Sequence, residues 1–326
     1  MMRNKTSHSF ITALIASSLL IVSLGAQAKE KVDKRLETSA SPHVEIEHVS
    51  GKAKIIGWDK NEVYVSGELG DRTEEFIFEK DGNDITIQVE TNHRKINWKE
   101  KDYDDGDDLT IYVPTKSGVS YTAVNAGVSV ESLTDSVQLE VVNGDIDAKD
   151  IAGRMKLETV NGDISLNAVR GLLQIETVNG DVKGEHQGDE LTKVMTVNGN
   201  VKLKTSSPVV EFESVNGDAE LELALIKSLS LTTVNGEIEA SMTLDSKADV
   251  EASSVGGTIA LTVQKEVSAR FELEAHAGGD IVNKITSDKQ KSAKYGPSKW
   301  LEFSVNKGSA GVEMSTVHGE LIVKTK

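Results

Sequence analysis

The ten residues Leu157–Leu166 read LETVNGDISL. Eighteen residues later, from Ile175, the chain writes IETVNGDVKG, and eighteen residues earlier, from Leu139, LEVVNGDIDA. Aligned on the asparagine, one column runs through Asn125, Asn143, Asn161, Asn179, Asn198, Asn216 and Asn235, at spacings of 18 or 19 residues. Degenerate copies follow as VGGTIAL from Val255, GGDIV from Gly278 and VHGELIV from Val317, and VSGKAKI from Val49 precedes the series. A fixed period of this length signals a repeat architecture.

The flanking columns carry the physics. Four residues before the asparagine stand Leu139, Leu157, Ile175, Phe212 and Leu231, and three after it stand Ile146, Ile164, Val182, Val201 and Ile238. Glu140, Glu158, Glu176 and Glu213 lie between the first of these columns and the asparagine, and a valine stands directly before it: Val124, Val142, Val160, Val178, Val197, Val215 and Val234. Apolar and polar positions alternate with period two, and Val, Ile and Thr dominate, which is strand patterning. Asn-Gly tolerates positive φ and marks a turn. A meander of hairpins gives no reason for identical columns, whereas a β-solenoid stacks equal positions one above the next at roughly 4.8 Å. The fold expected is therefore all-β, a single-chain β-solenoid with coils of 18–19 residues and irregular β caps at both ends. About ten coils make a rod on the order of 45 Å long. On this reading the valine column fills the interior with the Leu and Ile columns, and the chain bends where the parity slips between them. Val160→Asp is then expected to unfold more than one coil. The asparagine amides are placed to stack into a hydrogen-bonded ladder.

The rest of the chain divides around the repeats. Residues 1–28 read as a signal peptide: Arg3 and Lys5, a mostly apolar run from Phe10 to Leu24, and Ala26-Gln27-Ala28 as the cleavage pattern. Residues 29–118 form an irregular β region continuous with the solenoid, 119–265 the regular repeats, and 266–326 the last coils with a polar loop excursion at 284–299. The chain carries 52 acidic against 36 basic residues, a net charge of −16, and losing Arg3 and Lys5 takes it to −18. That balance excludes a nucleic-acid backbone as partner and disfavours anionic headgroups. With no cysteine, there is neither a disulfide framework nor a lipid-attachment cysteine. No second apolar stretch reaches the length of a membrane span. The expected location is periplasmic, secreted or cell-surface.

GWDKNEVYVSGELGD from Gly57, DLTIYVP from Asp108, the serial VNGDI units, GGDIVN from Gly278 and the closing VHGELIV together resemble the bacterial putative-adhesin domain family of unknown function. The resemblance covers nearly the whole chain after residue 28. It implies an exported, non-enzymatic protein of β-strand repeats.

Candidate chemistry is sparse. Asp145, Asp163, Asp181 and Asp218 share one column with Glu237, and a stacked acidic ridge invites Ca²⁺. The glycine-rich nonapeptide of calcium β-rolls is absent, so these carboxylates read as caps on backbone N–H groups of a solvated turn. The acidic stretch Asp102–Asp108 lacks the spacing of a calcium-binding loop and reads as a charged loop. His43, His48, His93, His186, His276 and His318 are scattered and read as surface or turn residues. Trp58, Trp98, Trp300 and the tyrosines lie mostly outside the repeats, and capping the ends of the interior is the expected role. No nucleophile motif, phosphate loop or metal signature stands out, and no cofactor is expected. The functions kept open are an adhesive or structural module of the envelope, an accessory of an envelope signalling system, and a polysaccharide-active β-helix enzyme. The first two take a protein or glycan partner.

Overall fold

The computed structural model describes residues 30–91 and 106–326. The expected signal peptide, His93, Trp98 and Asp102–Asp105 lie outside the described residues. Every regular element among the described residues is a strand. No helix there is long and apolar enough to cross a membrane.

Each repeat crosses the molecule twice. A strand such as Val137–Asn143 forms one face and ends at the asparagine; after the Gly-Asp corner the next strand, beginning at Ile146, forms the other. The following repeat lies parallel to it in register, Leu157 beside Ile175, Asn161 beside Asn179 and Ile146 beside Ile164. The result is a β-solenoid-like stack of flattened coils. Among the described residues each face holds twelve parallel strands, counted through their successive pairings. At roughly 4.8 Å between strands, the stack is on the order of 50 Å long.

Coil order in space departs from chain order at both ends. The strand His43–Trp58 lies between Gly118–Leu133 on one side and the pair Asp84–Thr91 and Asp107–Pro114 on the other. At the far end, Ala310–Thr316 and Glu320–Thr325 insert between the coil of Asp249–Val263 and that of Ala269–Asn283. Antiparallel strands then close the edges. Thr73–Asp81 pairs with Asp84–Thr91, Glu62–Glu68 with Asp107–Pro114, and Lys299–Val305 with Ala269–Ala275. The first described strand, Lys31–Glu37, pairs antiparallel with Glu62–Glu68, and the last, Glu320–Thr325, lies within the stack between Thr258–Val263 and Asp280–Asn283.

The interior is a narrow sheet-on-sheet core. Leu139, Leu157, Ile175, Phe212 and Leu231 line one face, and Ile146, Ile164, Val182, Val201 and Ile238 the other, all buried. The valine column does not join them. Val124, Val142, Val160, Val178, Val197 and Val215 are 37–45% exposed. The interior place belongs to the residue before each: Val141, Thr159, Thr177, Thr196 and Ser214 are buried. Strand alternation holds without a slip, because Leu157 and Thr159 point in while Glu158 and Val160 point out. On this side of each coil the chain bends at Asn-Gly-Asp. There glycine is required by close approach: a Cβ on Gly162 would lie 2.1 Å from the Gly144 carbonyl oxygen, and one on Gly199 2.0 Å from that of Gly180. At the opposite corner Ser132, Asp150 and Ala168 hold positive φ (62°, 51° and 54°), the conformation that lets the chain double back there.

Candidate functional site

The outward positions of the asparagine-bearing face make the most distinctive surface. Glu140, Glu158, Glu176 and Glu213 stack in one row and Val142, Val160, Val178, Val197, Val215 and Val234 in the next, with Met195 and Thr232 completing the glutamate row. Between the rows runs an open groove of about 610 Å³, spanning the coils from Thr122 to Val234. Its direction is along the rod, across the strands. The glutamates are held by neighbours on the same strands: Gln138 donates to Glu140 (2.6 Å), Gln174 to Glu176 (2.7 Å), and Lys156 pairs with Glu158 at 2.7 Å. The hydrogen bond it donates to Glu158 holds the Lys156 ammonium above its usual range. Regular aliphatic ridges beside regular carboxylates thus form a surface that buries apolar groups and attracts cationic ones.

The corner beside the groove is built from the repeat itself. Each asparagine Nδ2 donates to the Oδ1 of the one a coil before, from Asn143→Asn125 (2.8 Å) through Asn235→Asn216 (3.1 Å). The four candidate calcium ligands stand one column further. Asp145 Oδ1 accepts from the Asp163 amide, Asp163 from Asp181, Asp181 from Asn200 (2.8–2.9 Å), and Asp218 accepts from Glu237 at 2.8 Å. Asn200 interrupts the carboxylates and accepts from Asp218 in turn. Among the described residues, no three His, Asp or Glu side chains gather in a way that would hold a metal ion.

Two histidines read as surface residues lie inside. His48 is buried, its Nδ1 3.0 Å from Tyr121 Oη and its Nε2 3.1 Å from Asp107 Oδ2. Asp107 belongs to the strand Asp107–Pro114 rather than to a charged loop, and its Oδ1 accepts from the Gly70 amide and Thr73 Oγ1, both at 2.7 Å. Burial alone would raise its carboxyl pKa, but the bonds from His48, Gly70 and Thr73 outweigh it and hold it below its ordinary value. Burial pushes the Tyr121 phenol up. His186 is also buried, with Nε2 2.9 Å from the Gly171 carbonyl and Nδ1 3.0 Å from Thr205 Oγ1. Burial lowers its pKa, favouring the neutral ring; Nε2–H then donates to Gly171 and Nδ1 accepts from Thr205. These groups are spent on one another and closed from solvent, so they serve the interior. His43, His276 and His318 are exposed.

Trp58, Tyr64 and Tyr112 do not cap the interior, and Tyr121 is buried within it. Trp58, Tyr64 and Tyr112 lie on the outer surface near the first coils. The rings of Trp58 and Tyr112 are 5.0 Å apart and those of Tyr64 and Tyr112 5.7 Å, with Arg35 over Tyr64 and Lys60 over Trp58. Strand alternation explains it: Ile111 and Val113 point inward, so Tyr112 between them points out. Tyr295 is the most exposed large side chain, at 84%, near the tip of the excursion.

These features define a class: an all-β stack of parallel coils with an asparagine-laddered corner and a repetitive outer groove. The family model described as Toastrack DUF4097 matches residues 42–324, and the chain belongs to that family. Three solved structures align with it at 12% identity. A putative cell adhesion protein from Clostridium sporogenes covers 92% of this chain and 100% of its own, with a TM-score of 0.24. A putative adhesin from Bacteroides fragilis covers 92% and 98%, with a TM-score of 0.40. A putative lipid binding protein from Parabacteroides distasonis covers 91% and 96%, with a TM-score of 0.42. No curated protein matches the chain.

Proposed function

We propose that the chain is an exported, non-enzymatic binding module of the cell envelope or cell surface, of adhesive or structural type. It takes an elongated protein or glycan partner along the Val/Glu groove. The observation that carries this reading is the valine ladder. Six valines, one per coil, are kept at positions where strand alternation turns them to water, and they account for most of the large hydrophobics exposed among the described residues. A contiguous exposed apolar strip marks an interaction site, and solenoids use such repetitive faces for binding. The signal-like first 28 residues support export. The absence of an enzymatic role is supported by where the chemistry sits: Asp107 and His186 are buried and bonded to protein groups.

The test is a photo-cross-linking residue placed at Val178, in the groove, or at Lys183, on the opposite face, in the intact organism. Adducts from position 178 and none from 183 support the reading. Equal adducts from both, or none from 178, contradict it.

A further inference from the structure

The excursion at 284–299 is a built projection of opposite charge. It holds Lys284, Lys289, Lys291, Lys294 and Lys299 against one acid, Asp288, in a chain of net charge −16. Lys291–Ser292 pairs antiparallel with Lys299–Trp300, and the Ala293 amide donates to the Ser298 carbonyl (2.9 Å), so the segment is a hairpin with Lys294-Tyr295-Gly296-Pro297 at its tip. Its base is tied down: Lys299 Nζ and Gln290 Nε2 both reach Asp280 Oδ1 at 2.9 Å, and Asn283 bonds Thr286 and the Ile285 amide. A preorganised projection loses little entropy on binding. What it presents is an almost fully exposed aromatic ring with the Lys294 ammonium 5.4 Å from its centre, and the exposed Lys289 and Lys291 nearby.

The groove offers the complement. Its valine row suits an aromatic ring, and of its glutamates only Glu158 makes a close ion pair with a lysine among the described residues, Lys156 acting on Glu140 and Glu176 from further off. Glu140, Glu176 and Glu213, without a close ion pair, face three lysines. Resting on the reading of the groove as the binding face, we propose that its occupant is the 284–299 hairpin of a second copy of this chain. Tyr295 seats on the valine row, and Lys289, Lys291 and Lys294 meet the glutamate row. The two surfaces differ, so the contact is heterologous and open-ended, giving chains of copies rather than closed dimers. One hairpin covers less than a standard interface, so each contact is weak.

Sedimentation velocity of the purified protein, up to sub-millimolar concentration and at low and high salt, tests this. The expected result is growth beyond dimer with concentration, suppressed by salt. Tyr295→Ser and the groove pair Val178→Ser/Val197→Ser should each weaken association by about tenfold or more, the fold-change of a lost anchor contact. Lys291→Glu/Lys294→Glu and Glu176→Lys/Glu213→Lys should each fail to associate alone and associate when mixed. A monomer at every concentration overturns the proposal, as does association that ignores the hairpin substitutions or the groove substitutions. The two readings are distinguishable: a monomeric protein that still cross-links from position 178 to another molecule keeps the groove and loses the second copy, whereas no adducts from 178 overturn the groove reading itself.

Discussion

His48 Nε2 and Asp107 Oδ2 lie 3.1 Å apart inside the stack, 59 residues apart in sequence, with both side chains closed from solvent. The pair bridges two neighbouring coils, since His48 sits on the strand that Asp107–Pro114 flanks. Tyr121, on the coil at the other side, takes the second ring nitrogen. The network pins the order of the first three layers where the chain leaves sequential stacking. Asp107→Ala strands the ring nitrogen and the Gly70 amide, and is expected to cost about 3 kcal/mol, the scale for an orphaned buried polar group. Urea unfolding measures it; a change under about 0.5 kcal/mol, the scale of a neutral surface substitution, would contradict the role.

The same carboxyl gives a pH dependence. Its folded pKa lies below its ordinary value, so the unfolded state binds the proton more readily. Its contribution is fully present above the ordinary carboxylate value and is lost as pH falls below it toward the lowered folded value. The wild-type melting temperature should therefore drop more steeply than that of Asp107→Asn as the solution is acidified below that point. Parallel curves would sink the assignment.

Leu157 and Val160 separate inside from outside within one strand. Leu157 is 0% exposed and Val160 40%. Leu157→Ala is expected to cost about 2–5 kcal/mol, as deletions in a packed core do. Val160→Ser should stay within about 0.5 kcal/mol, as surface changes do. Equal losses would return the valines to the core.

The two corners predict opposite signs. Gly162→Ala drives a methyl group against the Gly144 carbonyl and should cost at least about 2 kcal/mol, the scale of backbone strain. Ala168 is exposed at φ 54°, where glycine is strain-free, so Ala168→Gly should stabilise by about 1 kcal/mol. Calorimetry of the two variants checks both signs at once.

The columns that show in the sequence are those whose chemistry is unique to their place. Asn161 and Gly162 recur because a ladder bond and a close carbonyl tolerate nothing else, and Leu157 and Ile164 recur because the core is thin. Val160 falls on the outer side although its apolar type suggests the inner one. Its parity places it with Glu158, and the interior seat goes to Thr159, whose hydroxyl lies 3.4 Å from the Gly144 carbonyl. Thr177, Thr196 and Ser214 take the same seat with hydroxyls that have no protein partner, so nothing about hydrogen bonding marked that column in advance. His48 shares the parity of the buried Val44 and Ile46, so alternation alone turns it inward; Asp107 sits near the end of an acidic run, and only the stacking of coils brings the two together. The inserted strand Ala310–Thr316 was equally hidden, because VHGELIV has the form of a coil and says nothing of which coils flank it.

The central claim is that the valine ladder is a binding surface and not part of the core. The most direct measurement takes Val160→Ser/Val178→Ser/Val197→Ser and records its melting temperature together with its retention on the envelope fraction of the organism. The account predicts a melting temperature within about 2 °C of wild type, the shift for roughly 1 kcal/mol in a chain of this size, and retention lost. A fall several times larger, or a variant retained as well as wild type, would contradict it.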